Sequence, residues 1–196
     1  MTAPSLPSYT HIPGVTPHPI RDPAGHSYAA PKLLADILEV ASHPHAAATV
    51  LPPLTWRNLP LHPKFQWAVQ LFNAGYYWEA HEAWEELWHL AGRVGVMADF
   101  LKGLIKLAAA GVKLREHNLA GVERHSRRAE ELLQAVADDR DACAGGAEDL
   151  SLGDLIEIAH QLDWHPPPLP EDRTGRPVAA LPSLPPSLLQ HSPPPG

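Results

Sequence analysis

Apolar residues recur at helical spacing through the middle of the chain. This periodicity predicts five helices, over about Lys64–Asn73, Tyr76–Leu90, Met97–Glu116, Leu119–Ala137 and Ser151–Trp164. A further helix is expected at Pro31–Ala41, where the proline would occupy the first turn. No segment shows the sustained apolar–polar alternation that is typical of a strand. We therefore expect an all-α fold, a small antiparallel bundle of about four to six helices.

Proline divides the chain into three parts. All 23 prolines fall in residues 1–63 or 166–196, and proline disrupts helix interiors. The pattern predicts a His- and Pro-rich leader over residues 1–30, a bundle domain over residues 31–165 and a disordered Pro-rich tail over residues 166–196. The leader either packs on the bundle or is loosely ordered. The tail is either solvated or a polyproline ligand for a partner.

Composition and charge narrow the function classes. The formal net charge is −7 and the pI about 6.0, which argues against nucleic acid and anionic membranes as partners. The single cysteine, Cys143, rules out an internal disulfide and a thiol-rich metal site. The first residues lack a basic region followed by an apolar run, and no apolar stretch is long enough to span a bilayer. We expect a cytoplasmic protein without a membrane segment.

The segment YYWEAHEAWEELW, residues 76–88, combines aromatic and acidic residues. Wound as a helix, it places most of them on one face: Tyr77, Trp78, His81, Trp84, Glu85 and Trp88. Glu79 and Glu86 fall on the opposite face and are predicted to be solvated, while Glu82 lies at an edge. His81 and Glu85, four residues apart, either form a polar pair within the aromatic core or bind one metal ion together.

Two later segments add polar residues of interest. His125 falls on the apolar stripe of the helix predicted over Leu119–Ala137. Lys102, Lys106 and Lys113 form a separate stripe on the preceding helix, which we interpret as a solvated face. The leader contributes further histidines, the side chain most often found as a metal ligand.

The motif resembles a known family. FNAGYYWEAHEAWEELW and the following FLKGLIKLAAAGVKLREHNLAGVERHSRRAEELL resemble the bacterial family called domain of unknown function 309. The leader, PGVTPHPIRDPAGHSY, looks like that of a subset of longer members. The resemblance implies a small α-helical bundle, and members are sometimes labelled predicted metal-dependent hydrolase.

If that label applies, the resemblance implies that His81 and Glu85 bind a divalent metal ion, whose identity it does not fix, and that Glu82 is the base that activates water. His125, His18 or His26 would supply a further ligand. The alternative is a non-enzymatic interaction module in which His81 and Glu85 are a structural pair. The partner would be a small molecule or a protein, and a homodimer is compatible with the sequence.

Overall fold

The computed structural model describes residues 5–28 and 53–189, and within these ranges the chain is helical without strands. The α-helices are α1 (Pro63–Asn73), α2 (Tyr77–Leu90), α3 (Val96–Arg115), α4 (Leu119–Asp138), α5 (Arg140–Ala144) and α6 (Leu152–Trp164), with 3-10 helices at Ala147–Leu150 and Pro186–Leu189. The predicted all-α fold is confirmed. The helix predicted at Pro31–Ala41 lies outside the described residues.

The bundle is built on α3, which packs against α2 on one side and α4 on the other, while α1 packs on α2 and α6 on α4. Leu101, Leu104, Leu107 and Leu114 of α3 are fully buried, as expected of a central helix. Short turns join α1 to α2 and α3 to α4, so each pair is antiparallel. In the described ranges, no helix is both long and apolar enough to cross a membrane.

Side-chain hydrogen bonds and a glycine mark several of the helix ends. The His62 side chain accepts a hydrogen bond from the Lys64 backbone N–H at the start of α1, and Asn118 accepts one from Gly121 at the start of α4. Gly92 follows α2 with φ of +80°, the left-handed conformation in which glycine commonly ends a helix. At the start of α6 the Ser151 side chain makes no capping hydrogen bond, and its hydroxyl contacts that of Ser187.

The segment after α6 packs on the bundle as far as residue 189. The leucines of this segment at positions Leu181, Leu184 and Leu188 are buried. The backbone N–H of Leu181 donates to the Tyr77 hydroxyl over 2.8 Å. The prediction of a disordered tail is therefore wrong for residues 166–189. Its leucines bury apolar surface, and its prolines restrict the backbone before folding, which lowers the entropic cost of ordering the segment.

Arg115, at the end of α3, is a second anchor for this segment. Its side chain is 2% exposed. Its Nη2 donates to the carbonyl oxygens of Asp172, over 3.0 Å, and Arg176, over 2.9 Å. A buried guanidinium is costly without acceptors, so this residue ties residues 172–176 to the bundle.

Candidate functional site

His81, Glu82 and Glu85 lie together on α2. Among the described residues, they are the only group of three or more His, Cys, Asp or Glu side chains whose ligand atoms lie within 4.8 Å of one another. The side chains of His81 and Glu82 are 29% and 35% exposed, so solvent reaches the group. Helical spacing brings the three together, since positions i and i+4 are neighbours on one face.

The His81 ring has an unsatisfied nitrogen. Its Nδ1 is buried and has no hydrogen-bond partner. The Glu82 Oε1 atom is 3.4 Å away, but the contact lacks hydrogen-bond geometry. His81 and Glu85 share no hydrogen bond, so the two do not form a bonded polar pair. Burial of a polar atom without a partner is unfavourable.

The donor set fits a divalent metal ion. One imidazole nitrogen and two carboxylates are ligands that first-row divalent metals accept. A metal ion would also give the buried nitrogen a partner and offset the negative charge of the two carboxylates. The group therefore has the composition of a metal site, with solvent access for a water ligand.

His125 projects from α4 into a different environment. Burial, followed by the charges of Lys106, Arg124, Lys113 and His81, lowers the pKa of its imidazole to about 4. His81 is thus near enough to influence it, but His125 is not a member of the metal-ligating group. The structure does not bring it to the position of a third ligand.

This lowered pKa makes stability depend on pH. The unfolded imidazole takes up a proton near 6.5 and the folded one near 4, so the unfolded state binds more protons between these values. We expect full stability above pH 6.5 and a progressive loss as the pH falls towards 4. Urea unfolding at pH 7 and pH 5 checks this, and the loss should be smaller in His125→Asn. A titration midpoint near 6.5 by NMR would contradict the prediction.

The leader histidines also lie elsewhere. His26 Nε2 is 3.1 Å from the Glu79 Oε1 atom, and the His18 ring packs edge-on against Trp78, with centroids 5.4 Å apart. Neither belongs to the group at His81. The prediction that they supply a metal ligand there is not supported, because the leader crosses α2 at Trp78 and Glu79.

Glu79 corrects the sequence interpretation most clearly. It was predicted to be solvated, but it is 7% exposed. Its carboxylate accepts hydrogen bonds from the Thr10 hydroxyl and the His11 backbone N–H, both over 2.8 Å, and contacts His26. A helical wheel separates the faces of one helix but does not show that another segment covers the polar face. The sequence held one indication that Glu79 matters: it belongs to the motif and directly precedes Ala80 and His81.

The fold and the site define a small helical-bundle domain with a His–Glu–Glu group on its second helix. Residues 65–125 match the model of the family described as Domain of unknown function (DUF309). The matched segment runs from α1 into α4 and includes the group. No curated protein and no solved structure matches the chain.

Proposed function

We propose that this protein is a metal-dependent hydrolase in which His81 and Glu85 hold a divalent metal ion and Glu82 acts as the general base. The single observation that carries the proposal is the His81–Glu82–Glu85 group, with a buried ring nitrogen that lacks a partner. A cytoplasmic bacterial protein is part of the proposal, as the resemblance and the lack of a disulfide framework favour.

The three side chains would have different roles in the proposed reaction. A bound metal ion would lower the pKa of a water ligand and polarise the scissile bond. Glu82, at the edge of the group and partly exposed, would take a proton from such a water. With His81 and Glu85 as the protein ligands, the other coordination positions would be open to water and substrate.

Metal content is the direct test. We expect untagged protein to hold about one divalent ion per chain, and His81→Ala to weaken its affinity by at least about 100-fold, since loss of an outer partner alone costs up to that. Elemental analysis and competition with a chromophoric chelator measure both quantities. His89→Ala, on the same helix but outside the group, is the matched control and should bind as the wild type does.

A second variant separates the roles of the two glutamates. Glu82→Gln should retain the metal ion while losing turnover, whereas Glu85→Gln should lose both. Metal content unchanged in His81→Ala would overturn the proposal and favour the interaction-module alternative. Loss of the ion in Glu82→Gln would instead make Glu82 a ligand and remove it as the base.

A further inference from the structure

A second feature adjoins the group at His81. Helices α3 and α4 enclose a cleft of about 360 Å³, within the usual size range of small-molecule sites. The residues that line it are Lys106, Arg124, His125, Arg127, Arg128 and Glu131. Four cationic side chains therefore face one carboxylate, in a chain whose formal net charge is −7. This local excess of positive charge is opposite in sign to that of the whole molecule.

Two of the four cations are already neutralised. Arg127 pairs with Glu123 over 2.6 Å and with Asp163 over 3.3 Å. Arg128 pairs with Glu131 over 2.7 Å. These ion pairs lie at the rim of the cleft. The unpaired positive charge of the cleft therefore belongs to the other two cations.

Lys106 and Arg124 have no hydrogen-bond or ion-pair partner within residues 5–28 and 53–189. Lys106 is half-buried: burial lowers its pKa, the nearby charges of Lys102, Arg128 and Arg124 lower it further, and Glu85 opposes them. The lysine stripe was predicted to be a solvated face, whereas this member of it is partly buried. An anion in the cleft would relieve the repulsion between the cations.

The cleft and the group at His81 are close enough to interact. The carboxylate of Glu85 acts on Lys106, and His81 acts on His125, which lines the cleft. The central helix α3 packs on both α2 and α4 and so carries Lys106 between the two features. A phosphate bound to Lys106 in the cleft would therefore lie near the group at His81.

We propose that this cleft binds the phosphate group of a small phosphate ester, which is the substrate of the enzyme proposed above. The two unpaired cations match the charge of a phosphate monoester, about −2 near neutral pH. Several oxygens can accept hydrogen bonds from Lys106 and from the guanidinium fork of Arg124 together. A single carboxylate, as Glu131 shows with Arg128, neutralises only one cation.

The assignment of the ester as substrate rests on the proposed function, whereas the binding of phosphate does not. In the reaction, the oxygen of water bonds to phosphorus and the ester P–O bond breaks. Glu82 takes a proton from the water, and that proton passes to the departing alkoxide. The products are the alcohol and inorganic phosphate, so atoms and charge balance without another reactant.

Calorimetric titration with inorganic phosphate tests the cleft in protein stripped of metal by a chelator. At low salt and pH 8 we expect one phosphate per chain, and Lys106→Gln/Arg124→Gln should weaken binding at least about tenfold, as expected for loss of charged hydrogen bonds. Lys64→Gln/Arg140→Gln makes the same change in net charge away from the cleft, and should bind as the wild type does. Melting temperatures and circular dichroism establish that each variant is folded.

The outcomes separate the two proposals. Absence of phosphate binding in the wild type, or an equal loss in the control variant, overturns the cleft as an anion site. If the wild type binds phosphate but no divalent metal ion, the hydrolase is overturned and the anion site stands. In metal-loaded protein, hydrolysis of p-nitrophenyl acetate without hydrolysis of p-nitrophenyl phosphate would overturn the substrate class while the metal-dependent chemistry stands.

Discussion

Glu79→Ala is expected to detach the leader from the bundle and to lower the free energy of unfolding by about 3 kcal/mol. The carboxylate is buried and serves three leader groups, Thr10, His11 and His26. Its removal leaves the Thr10 hydroxyl and the His11 N–H without an acceptor. Release of the leader into water limits the loss, because these groups then regain hydrogen bonds from solvent.

Urea unfolding measures the change in stability, and limited proteolysis measures release of the leader. Glu86→Ala is the matched control, since Glu86 lies on the same helix, is exposed and pairs with Lys64 at the surface. It should alter stability by no more than about 0.5 kcal/mol. Equal effects of the two substitutions would contradict a specific role for Glu79, and a leader that stays protected in Glu79→Ala would show that other contacts hold it.

Gly75→Ala is expected to displace the Pro-rich segment and to cost roughly 2–4 kcal/mol. Gly75 has φ of +85°, and a Cβ there would lie 2.4 Å from the carbonyl carbon of Val178. The three nearest atoms all belong to the Val178 backbone, so no side-chain rotation relieves the overlap. The segment must move away, and the burial of Leu181 and Leu184 weakens with it.

Gly92→Ala isolates the contribution of this contact. Gly92 has a similar φ of +80°, but nothing lies within 4 Å of a Cβ at that position. Gly92→Ala should therefore cost only the backbone strain of a positive φ, about 1 kcal/mol. Urea unfolding of both variants, with proteolysis mapped to residues 166–189, gives the comparison. Equal costs with an undisturbed segment would mean that the close approach at Val178 contributes nothing.

Much of the bundle was predictable because its determinants are local. The proline-free block, the apolar periodicity and the turn residues located five helices, each end within about one residue of its place in the structure. The short helix α5 was missed, since the two glycines of DDRDACAGG follow it directly. Five residues make too little periodicity to detect.

The candidate site was predictable to the extent that one helix defines it. The neighbours at i, i+1 and i+4 come together whenever α2 forms, so His81, Glu82 and Glu85 follow from sequence alone. The predicted contributions of His125, His18 and His26 depended on how other segments cross α2. Those crossings are set by packing over long sequence separations, which no periodicity encodes.

By itself, the sequence determined the helical class, the order of the main helices and the cluster of possible ligands on α2, because each depends on spacing within a few turns. Only the tertiary structure decided that Glu79 holds the leader, that leucines between prolines pack on the bundle, and that Lys106 and Arg124 share a cleft. Each of these joins residues distant in sequence. These features depend on which helix faces are covered in the folded bundle and which charged side chains are left without a partner there.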